Sequence, residues 1–379
     1  MKTVCKLNMC TGCNACTDVC SKSAISLLDT IRNLNAVINE NQCIGCGACE
    51  RVCQQIHPLK LNVPTAWFQG WTDEEESRAK SSSGGFAFHL MRQFVKDGGT
   101  VCSCIFKKGK FLYKFADKEE ELEDFRGSKY VKSDPKGTYK NIQKLLKAGS
   151  SVLFVGLPCH VAGVKRYIGK NYENSLYTID LICHGSPSVK LLSKFLMEKG
   201  ILIEELRNIS FRQKNKFRMT SEAKERKNVI SITPLGVRDR YTIGFLNGLF
   251  YTENCYSCPY AGIGRVSDIT LGDSWGSELE MTKEGTKGIS LALCQTNKGE
   301  NLLKKSGVHL LGVDLDNAIK ANHQLREPSI QPPQRELFFK MIDRGVKINV
   351  AIARCFPKTC IRQDVKALLI KLCLIKTGG

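Results

Sequence analysis

Cys10, Cys13, Cys16 and Cys20 follow the spacing C-x2-C-x2-C-x3-C, and Cys43, Cys46, Cys49 and Cys53 repeat it 33 residues later. A thiolate at every third position lets one short loop wrap three corners of a single cubane. Small residues at Gly12, Gly45 and Gly47 let backbone amides approach its sulfurs, and the fourth cysteine of each run ligates the other cluster. The spacing therefore predicts two [4Fe-4S] clusters. One is held by Cys10, Cys13, Cys16 and Cys53, the other by Cys43, Cys46, Cys49 and Cys20. Zinc is the alternative, but zinc ribbons supply two ligands per knuckle rather than three plus a crossing fourth.

The chain has 379 residues, enough for two or three domains with a full-sized core. Its 19 cysteines are an odd number, so complete disulfide pairing is excluded. The opening stretch MKTVCKLNMCTGC has no apolar h-region, and no run approaches a membrane span. The expected setting is the cytoplasm, where thiols serve metals and catalysis. The net charge of +19 is uneven: residues 207–240 carry ten basic against three acidic side chains, and residues 301–379 fourteen against six. No nucleic-acid-binding motif accompanies the basic stretch 211–228, despite Phe211 and Phe217. That leaves a solvated basic face, or one facing an anionic substrate, an acidic redox carrier or an anionic membrane.

Residues 1–60 thus read as a ferredoxin module, one that resembles the bacterial-type two-cluster ferredoxins. The proline usual after each fourth cysteine is replaced by Ser21 and Gln54. Clusters pass one electron at a time, so the remainder of the chain is expected to hold a converter to two-electron chemistry, for which a flavin is usual. Residues 61–80 read as a connector. SSSGG (81–85) precedes a helical pattern at Phe86, Leu90, Met91, Phe94 and Val95, a place suited to a phosphate or simply to a helix cap. Cys102 and Cys104 share a face of a strand and read as packing residues. In 149–169 a buried strand, a tight loop and a helix set Cys159 and His160 at a strand's carboxyl end, where functional groups collect in open α/β sheets.

The segments AWFQGWTDEEESRAKSSSGG, GSKYVKSD, LPCHVAGVKRYI, DLICHGSPSVKLLSKFL and CYSCPYAGIGRVSDITLGDSWG occur in the order found in the coenzyme F420 hydrogenase/dehydrogenase beta-subunit family. The chain resembles that family to about residue 345, and most resembles its bacterial members associated with polysaccharide biosynthesis. The resemblance implies FAD in addition to iron–sulfur clusters. It places flavin contacts at Ser82, Ser83, Gly84 and Gly85 and at Gly127, Ser128 and Lys129, although Lys129 also reads as a surface lysine. His160 stands where the family often has Gln.

Cys159, Cys183, Cys255 and Cys258 complete a further set of four, two from strand ends and two from a late loop. A third [4Fe-4S] cluster is the expectation, with zinc as the alternative because the motifs alone do not choose the metal. His184 beside Cys183 reads as a proton donor or a capping histidine. Asp268 and Asp273, flanking a short strand, read as catalytic groups or as local partners of Arg265. Cys5, Cys294, Cys355, Cys360 and Cys373 lack ligand spacing.

The predicted fold is α+β or α/β: the ferredoxin domain (1–60), a connector (61–80), two regions of a mixed α/β flavin-binding domain (81–175 and 176–345), and a basic, partly apolar segment (346–379). In that last segment Val365, Leu368, Leu369, Leu372 and Leu374 make no single stripe. Packing onto the main domain is expected, with peripheral membrane contact as the alternative. The predicted function is oxidoreduction: electrons from a protein donor pass through the clusters to FAD and on to an organic acceptor, a deazaflavin or a polysaccharide-pathway intermediate. The alternative is an electron-transfer or docking subunit without its own substrate chemistry.

Overall fold

Residues 152–156, VLFVG, are all buried, as expected of a parallel strand covered on both faces. In the computed structural model, which describes residues 1–213, 216–223, 229–231, 233 and 236–375, they form β6 near the middle of an eight-stranded sheet. The strands in chain order are β1 Ile25–Asp29, β2 Leu34–Ile38, β3 Ala66–Trp71, β4 Thr100–Lys107, β5 Lys110–Ala116, β6 Val152–Gly156, β7 Leu176–Leu181, β8 Leu206–Gln213, β9 Lys216–Ala223, β10 Val229–Ser231, β11 Ile269–Asp273, β12 Ser290–Cys294 and β13 His309–Leu311. The large sheet runs β13-β3-β12-β11-β7-β6-β4-β5. Its centre, β11-β7-β6-β4, is parallel, and antiparallel pairs close both edges. β8 to β10 make a separate antiparallel sheet. Part of the basic stretch 211–228 lies outside the described residues.

The segment expected to be a connector is corrected. Residues 66–71 form β3, paired on both sides by β12 and β13, and a short helix follows at Glu75–Ala79. The sequence disguised this strand because its buried positions include Gln69 and Gly70 rather than an apolar alternation. Gln69 is fully buried, donating to Glu278 at 2.7 Å and to the Gly312 carbonyl at 2.9 Å while accepting from Ser274.

One face of the sheet packs on the helix Phe86–Lys96, and the other on the helices Thr138–Lys147 and Pro158–Ile168. Cys102 and Cys104 sit on β4, the first fully buried and the second half-buried.

The N-terminal module is a β1–β2 hairpin with short helices Ala15–Val19 and Ala48–Arg51, each begun by a left-handed residue, Asn14 and Gly47. It is docked tightly. The Asp18 carboxylate accepts from the Gly137 and Tyr139 amides at 2.6 and 3.0 Å, supplying the N-terminal cap of the helix Thr138–Lys147 from another module. Asn14 donates to Asp134 at 2.7 Å, and Ser188 donates to Asp29 at 2.6 Å.

Candidate redox site

Cys10, Cys16 and Cys53 gather in the core of the N-terminal module and Cys13 packs at its seam with the main domain, each 7–9 % exposed. Burial pushes the Cys13 thiol up to about 12 and raises Cys16 as well. The Gly12 amide, in a left-handed turn, points at Cys10 Sγ at 3.4 Å. Cys20, Cys43, Cys46 and Cys49 line one small cavity with Ala24, Ile25, Ile38 and Ile44. This second set lies at the surface: Cys46 is exposed, and Ile44 is 62 % exposed. The structure thus brings together the cysteines of each crossed set named from the spacing. Cys5, which lacks any ligand spacing, lies within hydrogen-bonding reach of Cys10 and Cys53 and holds both of their pKa values down.

The four later cysteines also come together. Cys159 is in the first turn of the helix after β6, and Cys183 lies two residues past the neighbouring β7. Cys255 and Cys258 come from the turn at 253–258. Thr252 anchors that turn by donating its amide to the Ser186 carbonyl at 3.3 Å. Cys159 feels the charge of the other three, and burial raises the pKa of Cys159, Cys183 and Cys258, that of Cys183 to about 12. Thiols with raised pKa values suit a cationic metal centre, which holds such ligands deprotonated. Among the described residues no group of three or more His, Cys, Asp or Glu side chains is drawn in tightly enough for a single metal ion.

Two side-chain links join this set to the first. Lys132, 4 % exposed, donates its ammonium to the Thr11 carbonyl at 3.1 Å and its amide to the Pro187 carbonyl at 2.9 Å. Its pKa is raised by the surrounding Cys255, Cys159, Cys10 and Cys183, against the opposing effect of burial. Gln54 donates to Thr11 Oγ1 at 3.0 Å and accepts from the Tyr260 hydroxyl. Tyr260 lies two residues past Cys258, and Gln54 occupies the position where proline was expected. The sequence signal was that replacement, read only as a change in the turn.

His160 is fully buried, with Nδ1 3.0 Å from the Tyr113 hydroxyl, and burial lowers its pKa to about 3.

The Ser-Gly-Gly loop and the loop 127–129 meet: the Ser128 amide donates to Ser82 Oγ at 3.1 Å. Ser83 donates to the Ile289 carbonyl at 2.8 Å. Gly84 is packed so closely that a Cβ there would stand 2.3 Å from the Gly70 oxygen and 2.7 Å from the Ser290 nitrogen. Gly85 caps the helix Phe86–Lys96 in a left-handed conformation, and Gly127 is left-handed with open space around it. Lys129 donates to the Phe125 and Arg126 carbonyls at 2.9 Å each, so its ammonium clamps its own loop. Arg126 lies over the Phe88 ring, 3.4 Å from the centroid, and donates to Ser81 Oγ.

His184 and Asp273 fall on the same side of the sheet as Cys183. In the parallel register Leu271 pairs with Leu181, which sets Asp273 level with Cys183. Asp273 receives a bidentate pair from Arg212 at 2.6 and 2.8 Å. His184 is an exposed residue on the loop after Cys183. Loss of solvation still lowers its pKa, while Asp273 acts to raise it.

Asp268 is not brought to this place. It precedes β11, five residues and about 16 Å of strand from Asp273. It accepts from the Thr178 amide, the Thr178 hydroxyl and Thr296, each at 2.8 Å. It is a buried clasp between strands, because its flanking position on a short strand sends it to the opposite edge. Arg265 pairs with neither aspartate; it donates to the Gly262 and Gln324 carbonyls. Asp180, in β7 and fully buried near Arg265, escaped the sequence reading.

Residues 149–309 match the family model for the C terminus of the coenzyme F420 hydrogenase/dehydrogenase beta subunit, and residues 9–55 match the 4Fe-4S dicluster domain. No curated protein matches the chain. Among solved structures, the chain is similar to one from the xenon-derivatised F420-reducing [NiFe] hydrogenase complex of Methanosarcina barkeri. That likeness has 17% identity and a TM-score of 0.49 and covers 70% of this chain and 90% of that one. The chain thus joins an N-terminal 4Fe-4S dicluster domain to a region, residues 149–309, that is similar to the C terminus of the coenzyme F420 hydrogenase/dehydrogenase beta subunit.

Proposed function

We propose that the protein is an iron–sulfur flavoprotein oxidoreductase in which three cysteine sets form an electron path. The observation that carries this reading is the position of the Cys10, Cys13, Cys16 and Cys53 set. It lies between the surface set at Cys20, Cys43, Cys46 and Cys49 and the set at Cys159, Cys183, Cys255 and Cys258, to which Lys132 and Gln54 link it. The exposed face at Cys46 and Ile44 is where a protein donor or another subunit docks. The buried middle set keeps water from its sulfurs, which favours rapid one-electron exchange over side reactions.

Ser82, Ser83, Gly84, Gly85, Gly127, Ser128 and Lys129 are the residues that would hold FAD. Their two loops meet at the N-terminus of an 11-residue helix, whose free amides suit a phosphate. A bound flavin supplies the conversion between one-electron and two-electron chemistry. His184, an exposed residue, is placed to exchange a proton with an acceptor, and Asp273 with Arg212 fixes the charge beside it. The strongly basic chain favours an anionic acceptor, such as a deazaflavin or a polysaccharide-pathway intermediate. No helix among the described residues is long and apolar enough to cross a membrane.

Anaerobically purified protein tests the reading. It should contain about twelve irons per chain, as three cubanes require, together with one flavin. About eight irons with one zinc would assign zinc to the third set. Clusters without flavin would overturn the enzyme reading in favour of a docking subunit.

A further inference from the structure

The last described helix, Pro357–Lys371, buries only Cys360. On its outer side Ile361, Val365, Leu368 and Leu372 are 61, 50, 55 and 57 % exposed. They follow at intervals of four, three and four residues, so they fall on one line along the helix. The sequence reading missed this stripe because it counted Leu369 and Leu374 and left out Ile361. The segment packs onto the main domain as expected, through Cys360, and leaves this line of apolar residues on its outer side. The helix is held in this attitude from behind. Arg240 pairs with both oxygens of Asp364 at 2.8 and 2.6 Å, and the Arg238 amide donates to Gln363 at 2.9 Å. The apolar line is therefore presented by a fixed helix.

Lys358, Arg362, Lys366 and Lys371 accompany the stripe. The single acidic residue of the helix, Asp364, is engaged by Arg240. A contiguous exposed apolar patch rimmed by charge marks an interaction surface. The basic rim decides which partner fits. A second copy docked along the stripe would bring two such basic rows together on a chain of net charge +19. An anionic lipid surface instead accepts the apolar line among its acyl chains and pairs the lysines with its headgroups. At 15 residues the helix is about 22 Å long, suited to lying in the interface plane.

We infer that the helix Pro357–Lys371 binds the protein peripherally and reversibly to an anionic membrane surface. This inference is independent of the flavin and of the metal in the third cysteine set. Flotation of the full chain with vesicles tests it. The protein should float with vesicles containing phosphatidylglycerol, remain behind with pure phosphatidylcholine, and lose binding as salt is raised. The double substitution Val365→Asp and Leu368→Asp, both at exposed sites, should weaken partitioning about tenfold or more with iron content and thermal midpoint unchanged. Lys358→Gln with Arg362→Gln should also weaken it, without adding a negative charge. Absence of binding to the anionic vesicles, or equal binding by the Asp variant, overturns the inference. So does a concentration-dependent dimer that the Asp variant abolishes in protein showing no vesicle binding, which would assign the stripe to a second copy.

Discussion

Lys132 places its ammonium 3.1 Å from the carbonyl oxygen of Thr11, inside the loop between Cys10 and Cys13. That charge is buried and faces cysteines of two different sets. A fixed positive charge stabilises the reduced, more negative state of a nearby cluster. Lys132→Met should therefore lower the midpoint potentials of the two neighbouring centres by on the order of 50–100 mV, taking an effective dielectric near 20 over several ångströms. Lys132→Arg should restore most of the shift. Spectroscopically monitored potentiometric titration measures this directly. A purely structural lysine would leave the potentials in place while lowering the melting temperature.

Gln54 makes the second link. It is 1 % exposed and fills the position where the ferredoxin pattern has proline. Gln54→Leu keeps the volume but leaves the buried hydroxyls of Tyr260 and Thr11 without this partner. The expected loss is roughly 2–6 kcal/mol, from about 1–3 kcal/mol for each of the two buried polar groups left unsatisfied. Anaerobic denaturant unfolding measures it, and iron content should be retained because Gln54 is outside the cysteine sets.

The doubled cysteine run was legible because its spacing is itself the ligand geometry, so residues 9–55 needed no tertiary information. The strand-then-helix at 152–168 was legible because a parallel strand reads as an unbroken apolar run. β3 was not, since a strand whose buried residues include Gln69 is recognised only through partners about 200 residues or more away in sequence. Asp268 and Asp273 look equivalent in sequence. Only the register of β7 against β11 separates a buried clasp from a group level with Cys183. The exposed line on the last helix was obscured for a different reason: burial, not spacing, identifies which apolar residues belong to it.

Gly84 and Gly127 lie in the two loops proposed to hold the flavin, but substitution should separate them. Gly84→Ala forces a Cβ to within 2.3 Å of the Gly70 oxygen, where backbone rather than a flexible side chain must move. It should disturb the seat of β3 and lower both melting temperature and flavin content. At Gly127 nothing stands within 4 Å, so alanine costs only the left-handed conformation, about 1 kcal/mol. Gly127→Ala should fold and keep its iron. Flavin stoichiometry and thermal unfolding of both variants check the contrast.

His89, on the helix Phe86–Lys96, is buried with Nε2 3.2 Å from Ser77 Oγ and Nδ1 2.9 Å from the Arg92 guanidinium. Burial, reinforced by Arg92, lowers its pKa to about 4, with Glu74 acting in the opposite direction. The unfolded chain takes up a proton at this histidine near pH 6.5, while the folded chain does so only near 4. Its contribution therefore favours folding above pH 6.5 and is lost progressively as the pH falls from 6.5 towards 4. His89→Gln cannot be protonated and should flatten that part of the acid limb. Wild type and variant should then converge at low pH relative to their difference at pH 7.5. Anaerobic melting temperatures measured from pH 7.5 to 4 test this, and parallel curves for the two proteins would remove His89 from the account.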